Sequence, residues 1–173
     1  MLELRPLEEK DIATVNELAG KIWREHYPGI ISPEQIEGML ELWYSEENLR
    51  RGLKNGHQYT MAILNGEPIG YISISKEKTP GDYFVQRFYI DRAQKGKGIG
   101  AAVYAHALKQ LPDVERVSLR VNRRNIHPIN AYFRMGFRII AADTLELPQG
   151  WLMEDFIMRH DVKGAPHAYA RAN

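Results

Sequence analysis

A chain of 173 residues suits one folded domain, and 44% apolar with 26% charged residues is an ordinary globular composition that excludes disordered and fibrous classes. The formal net charge of +1 gives no global attraction to nucleic acid or anionic membrane, so neither partner is expected and any electropositive site is local. The absence of cysteine excludes disulfides, thiolate catalysis, zinc ribbons and iron–sulfur clusters.

In chain order, Leu2 to Leu4 reads as a short strand. A helix from Glu8 to about Tyr27 carries the apolar stripe Ile12, Val15, Leu18, Ala19, Ile22 and Trp23, and Pro28-Gly29 breaks it. Ser32-Pro33-Glu34-Gln35 is a capping start for a helix to about Tyr44, and a further helical stretch runs from Ser45 to Lys54. Gln58 to Leu64, Asn65-Gly66 and Pro68 to Ser75 form a hairpin signature with a tight primed turn. Thr79-Pro80-Gly81-Asp82 turns the chain into an aromatic and β-branched strand, Tyr83 to Ile90.

A helix follows with Ile99, Ala102, Val103, Ala107, Leu108 and Leu111 on one stripe, stopped by Pro112. Val114 to Val121 reads as a strand, Pro128 to Arg134 as a short helix closed by Gly136, and Phe137 to Leu147 with Leu152 to Met158 as a final strand pair. The order β-α-α-β-β-β-α-β-α-β-β predicts an α/β (α+β) domain over 1–162, with one mixed sheet flanked by helices. Residues 163–173 read as a mobile tail, because they lack apolar periodicity. Met1 to Pro6 lacks signal-peptide features and no apolar run approaches spanning length, so a cytoplasmic, bacterial-type protein without membrane association is expected.

The most informative stretch is Gln94-Lys95-Gly96-Lys97-Gly98-Ile99-Gly100, between a strand and a helix. A glycine-rich turn that opens a helix presents unpaired N–H groups at the positive end of the helix dipole, a ready phosphate site. Ile99 and Ala101 stand where a Walker loop needs Lys-Ser/Thr, and the alternating glycines, mid-chain, do not fit a dinucleotide fingerprint. Read alone, the loop also fits a tight structural turn.

The run Tyr89 to Gly100 resembles the acetyl-CoA loop of the GNAT (GCN5-related) N-acetyltransferases, with Lys95-x-x-Gly98-x-Gly100 matching the pattern Gln/Arg-x-x-Gly-x-Gly/Ala. Val121 to Phe137 resembles the family's second signature: Asn125, a Tyr seven residues on at Tyr132, then Gly136-Phe137. Trp23 to Tyr44 and Trp151 to Met158 are similar to a bacterial subgroup of polyamine-type acetyltransferases. Two departures stand out: Lys95 replaces the usual Gln or Arg, with Gln94 one place early, and Pro128 replaces a small residue at its helix start. Amide binding tolerates the first and a first helical turn the second.

The resemblance implies a GNAT fold with a central, mostly antiparallel mixed sheet of about seven strands and about four helices. It implies acetyl-CoA as cosubstrate, its pyrophosphate held by amides from Lys95 through Gly96, Lys97, Gly98, Ile99 and Gly100 to Ala101, with Gln94 also among the cofactor-binding residues. Lys95, Lys97 and Arg92 or Arg123 would offset the charge. Phe88, Tyr89 and Ile90 would pair through their backbone with the pantetheine amides, and an N–H there would polarise the thioester carbonyl. Asn125 would contact the cofactor, or cap a helix. Tyr132 would protonate the departing thiolate, or be a core tyrosine.

The residue that deprotonates the amine is open, since Tyr83 to Ile90 has no carboxylate and Gln86 and Arg87 stand there instead. Glu154, Asp155, His26 and ordered water are the candidates. Trp23, His26 and Tyr27 share one helical face and would line an acceptor pocket or belong to the core. The histidines at 26, 57, 106, 127, 160 and 167 show no metal-ligand spacing, so no metal is expected.

The expected function is direct acetyl transfer to a primary amine of a small molecule, polyamine-like or amino-acid-like, by a homodimer. Alternatives are acetylation of a peptide or protein amino group, or a non-catalytic acyl-CoA sensor.

Overall fold

The computed structural model describes residues 1–163. The tail expected at 163–173, except for Lys163, therefore lies outside the described residues, as does His167. Among the described residues, seven strands and five α-helices alternate in the mixed manner expected: β1 (Leu2–Pro6), α1 (Ile12–His26), α2 (Pro33–Tyr44), α3 (Glu46–Lys54), β2 (Gln58–Leu64), β3 (Glu67–Lys76), β4 (Asp82–Ile90), α4 (Ile99–Lys109), β5 (Arg116–Asn122), α5 (Ile126–Arg134), β6 (Arg138–Glu146) and β7 (Leu152–Asp161). The chain divides into two compact units, Met1–Lys76 with Val85–Leu111, and Glu77–Phe84 with the residues from Pro112 onward.

In the first unit the strand order is β1-β2-β3-β4, and β1/β2 and β2/β3 are antiparallel. The β2–β3 hairpin turns at Asn65 (φ 53°) and Gly66 (φ 88°), the two positive-φ positions that a type I′ turn demands. Successive β4 side chains point to opposite faces. Tyr89 meets Trp23 of α1 and Tyr44 of α2, whereas Phe88 meets Tyr104 of α4. Helices α1 and α2 therefore cover one face and α4 the other, with Val15, Trp23, Met39, Tyr71, Ile72 and Val103 fully buried.

Helix α1 begins later than its periodicity suggests, after a 3-10 turn at Glu9–Asp11. There the Asp11 carboxylate takes two guanidinium bonds from Arg5 (2.7 and 2.8 Å) and the Glu8 N–H (2.8 Å). The stretch 45–54 is a separate helix because Ser45 is extended (φ −54°, ψ 148°) and breaks the run between α2 and α3.

The second unit holds the antiparallel order β5-β7-β6, with α5 and a core of Val117, Leu119, Val121, Ile129, Phe137 and Met158. Helix α5 starts at Ile126, two residues earlier than expected, which puts Pro128 in its first turn, where a missing N–H costs nothing.

Candidate functional site

The first unit carries the glycine loop. From β4 the chain passes through Asp91, a 3-10 turn at Arg92–Gln94 and Lys95, then reaches Gly96, Lys97, Gly98 and the start of α4. Asp91 anchors the turn: buried, it accepts the Ala93 N–H at 2.9 Å and the Lys21 ammonium at 2.6 Å, while its own N–H bonds the Ile69 carbonyl at 2.7 Å. The Lys21 bond, set against the cost of burial, holds its carboxyl below the usual aspartate range.

Gly96 (φ 79°) and Gly98 (φ 75°) are left-handed, and a Cβ on either would meet no heavy atom within 4 Å. Conformation, not crowding, therefore demands glycine here, and the space above the loop is open. Ala102 is the first α4 residue whose N–H reaches back, to the Gly98 carbonyl at 3.1 Å. The N–H groups of Ile99, Gly100 and Ala101 have no acceptor within the helix.

Cations surround this opening. Lys95 Nζ lies 3.5 Å from His26 Nδ1, Lys97 donates to Gln94 Oε1 at 2.9 Å, and Arg92 reaches the Glu25 carbonyl at 3.5 Å. Partial burial, then Arg92, push the Lys95 ammonium below its usual range. Among the described ion pairs none takes a carboxylate to Arg92, Lys95 or Lys97, and the nearby Asp91 is held by Lys21. Open space, free-facing amides and unneutralised cations are what a diphosphate requires, so these residues fit that group.

The remaining expected residues of this unit separate by environment. Trp23 is buried (3% exposed) among Tyr27, Tyr44, Tyr89 and Trp43, with ring centroids 4.4 to 6.5 Å away. Tyr44 donates its hydroxyl to Tyr89 at 2.8 Å, and burial pushes both phenols up. Tyr27 is half-buried at the margin of this cluster, and His26 turns to the loop instead. Ile90 closes on Gly70, where a Cβ would come within 2.4 Å of the Tyr89 carbonyl. Gln86 is exposed and donates to Ser75 Oγ at 2.9 Å. Arg87 donates to the Trp43 carbonyl at 2.6 Å and the Tyr59 hydroxyl at 3.2 Å, with its guanidinium 5.1 Å from the Tyr44 ring centre.

The second unit carries the other expected residues. Asn125 is buried at the N-cap of α5, where its carbonyl accepts from Ile129 at 3.1 Å, but its side chain makes no capping bond. Tyr132 is half-buried, 5.6 Å from the Phe137 ring. Glu154 is exposed. Asp155 is buried (2% exposed) and accepts from Arg120 Nε at 3.1 Å, and Arg120 also holds Asp143 at 2.9 Å. Burial pushes the Asp155 carboxyl up, and Arg120 opposes that rise. The Arg123 guanidinium is committed to the Asp155 and Asp143 carbonyls (3.3 and 3.0 Å). Asp82 opens β4 as a carboxylate just before the expected strand, but Arg116 holds it in an ion pair.

Sequence reasoning missed Lys21, which lies 70 residues from its partner Asp91. The only local signal was an Asp followed by a short turn, an arrangement that caps its own backbone. Among the described residues no group of three or more His, Cys, Asp or Glu is arranged to hold a metal, and no helix is long and apolar enough to cross a membrane.

Comparison with known proteins adds three findings. The sequence profile of the acetyltransferase (GNAT) family matches residues 16–137. A spermidine N(1)-acetyltransferase of Thermoplasma acidophilum is 26% identical over 149 residues, spanning 82% of this chain and 91% of that protein. Among solved structures, a PaiA N-acetyltransferase of Thermoplasma acidophilum in complex with coenzyme A superposes with a TM-score of 0.79, at 24% identity over 93% of this chain and 99% of that one. The ribosomal-protein-S18-alanine N-acetyltransferase of Escherichia coli superposes with a TM-score of 0.68, at 17% identity over 97% and 98%.

Proposed function

Because the chain belongs to the acetyltransferase (GNAT) family, and so is an acetyl-CoA-dependent N-acyltransferase, we propose that it acetylates a primary amine of a small, polyamine-like molecule. The observation that carries this reading is the open loop at Gly96 and Gly98, flanked by Lys95, Lys97 and Arg92, which pair with no carboxylate among the described residues. The spermidine N(1)-acetyltransferase relative, matched over 91% of its length, supports the acceptor class. The family match includes residues of both compact units, which supports 1–162 as one acetyltransferase domain.

Acetyl-CoA supplies an activated acetyl group on a good leaving thiolate. The amides from Lys95 to Ala101 bind its diphosphate, Lys95, Lys97 and Arg92 balance the charge, and the backbone of Phe88, Tyr89 and Ile90 orients the pantetheine arm. Asn125, buried at the N-cap of α5, adds a cofactor contact. Tyr132 Oη gives its proton to the departing sulfur, so that the leaving group departs as the neutral thiol. The amine loses its proton to water or to the exposed Glu154, since Asp155 is held by Arg120 and His26 turns to the loop. Tyr27 and Gln86 line the acceptor side. Self-association as a homodimer and action in the cytoplasm belong to the same proposal. Ile139, Ile140 and Leu145, exposed along β6, are the apolar surface a second copy would cover.

A thiol-release assay with acetyl-CoA against polyamines, amino acids and peptides tests this. Release with polyamines above the other acceptors is expected. Release only with peptides would move the acceptor to protein amino groups. Cofactor binding without release from any amine would make the domain a sensor.

A further inference from the structure

One polar cluster of the first unit has no part in the proposed transfer. Arg87 of β4 stands at its centre. Its guanidinium donates to the Trp43 carbonyl at 2.6 Å and the Tyr59 hydroxyl at 3.2 Å, and lies 5.1 Å from the Tyr44 ring centre. None of these partners is a carboxylate, so its charge is uncompensated among the described residues. Arg87 Nε is buried without a partner, and so are Tyr71 Oη, Ser73 Oγ and His57 Nδ1. Tyr71 and Ser73 are completely buried, at 0% exposed, where an unpaired polar group is costly. Ser73 is the β2–β3 partner of Tyr59, whose hydroxyl takes the Arg87 bond, so the two side chains share one face. Tyr71, two residues before Ser73, is on that face too and meets the Tyr89 ring at 5.9 Å. At Gly52 of α3 a Cβ would come within 2.7 Å of Tyr59 Oη and 3.1 Å of His57 Nδ1, which puts His57 near the same hydroxyl. The Arg87 charge reaches both ends of the cluster. It opposes the rise that burial gives the Tyr71 phenol and adds to the fall that burial gives the His57 imidazole.

The balance of donors and acceptors decides what such a cluster holds. A guanidinium N–H only donates, and both unpaired hydroxyls are able to donate. The neighbouring acceptors are engaged: Arg87 takes the Trp43 carbonyl and the Tyr59 hydroxyl, and Tyr44 donates to the Tyr89 hydroxyl at 2.8 Å. Donors are left over beside a cation that has no counter-charge. A group that only accepts, and carries a single negative charge, answers both deficits. We propose that Arg87 Nε, Tyr71 Oη and Ser73 Oγ form a buried site for one monovalent anion, a small carboxylate or a halide. The inference goes beyond the acetyl-transfer reading and does not depend on it. The bound anion accepts from the guanidinium and the two hydroxyls, and neutralises β4 one residue before Phe88.

Thermal melts of the full chain without cofactor test this, at constant ionic strength set by the sodium salt of a bulky sulfonate. Replacing the sulfonate by about 0.1 M acetate or chloride is expected to raise the wild-type Tm by about 3–5 °C. Ser73→Ala and Tyr71→Phe are expected to lose most of that rise, and Arg87→Gln all of it. In sulfonate alone, Ser73→Ala and Tyr71→Phe should melt at or above the wild-type temperature. Each removes a buried hydroxyl that gains its partner only when the anion binds. A merely structural role for these hydroxyls would not make the effect of substitution depend on the anion.

Chlorine NMR supplies a readout separate from stability. Wild-type protein should broaden the chloride line, acetate should narrow it again by competition, and Arg87→Gln should leave it sharp. Ornithine and putrescine differ by one carboxylate and distinguish the sources of the anion. Displacement of chloride by ornithine at lower concentration than by acetate assigns the site to an acceptor's own carboxylate, and displacement no better than by acetate assigns it to a free ion. Displacement by putrescine overturns the proposal, as does a chloride line that the wild-type protein leaves sharp. An equal Tm rise in wild type, Ser73→Ala and Tyr71→Phe overturns it as well. Absence of acetyl transfer beside intact chloride binding would instead refute the acetyl-transfer reading alone.

Discussion

Replacing Gly98 with alanine separates what the loop does for the fold from what it does for the ligand. Gly98 has φ 75° and ψ −2°, and a Cβ there would meet no heavy atom within 4 Å. The substitution thus creates no clash in the protein, and its stability cost is the left-handed backbone alone, about 1 kcal/mol. In a chain of this length that lowers Tm by about 3 °C. The methyl group would stand in the open space at the loop, which the proposed diphosphate needs. Loss of one charge-assisted amide–phosphate bond costs about 1.5–3 kcal/mol, or about tenfold to a hundredfold in Kd. Gly56→Ala is the matched control, with φ 79° and nothing within 4 Å, at the end of α3 away from the loop. Thermal melts and calorimetry with coenzyme A should show similar Tm losses in both variants and weakened binding in Gly98→Ala alone. Wild-type affinity in Gly98→Ala, or an equal loss in Gly56→Ala, would refute the reading of the loop as the cradle.

Three further outcomes follow from named contacts. Tyr132→Phe should lower turnover by about a hundredfold while coenzyme A affinity stays near wild type, and steady-state kinetics beside calorimetry separate the two. Asp91→Ala should destabilise the fold by about 2 kcal/mol in urea unfolding and weaken coenzyme A several-fold, since Asp91 both caps the turn and holds Lys21. Asp11, drawn to about 2 from an ordinary 3.8 by the Arg5 bond, contributes stability that is fully present above pH 3.8 and lost as pH falls through 2. Asp11→Asn should therefore be less stable by about 2 kcal/mol at pH 6, with the deficit closing by pH 2 in denaturant titrations.

What could be read from the sequence was local in origin. The primed turn at Asn65-Gly66, the Pro33 helix start and the glycine loop each depend on residues a few positions apart, and each occurs in the structure. The contacts that set the loop's chemistry join distant segments. Lys21 meets Asp91 across 70 residues and His26 meets Lys95 across 69, so neither pairing leaves a trace in spacing. Asp155 stood out as a charge in an apolar strand. Its partner Arg120 lies on β5, diagonally across from it, since Asp155 pairs with Asn122 and Arg120 with Ile157. That register is set by long-range strand pairing. Trp23 likewise reads as either pocket wall or core, and only the rings of α2 and β4 around it reveal a buried cluster.

The most direct test of the central claim follows the acetyl group itself. Acetyl-labelled acetyl-CoA is mixed with the protein and spermidine, and both amine and protein are weighed by mass spectrometry. Direct transfer predicts that the label appears on the amine as a single acetyl group and that the protein mass does not change. Unmodified amine beside intact acetyl-CoA, or label retained on the protein, would contradict it.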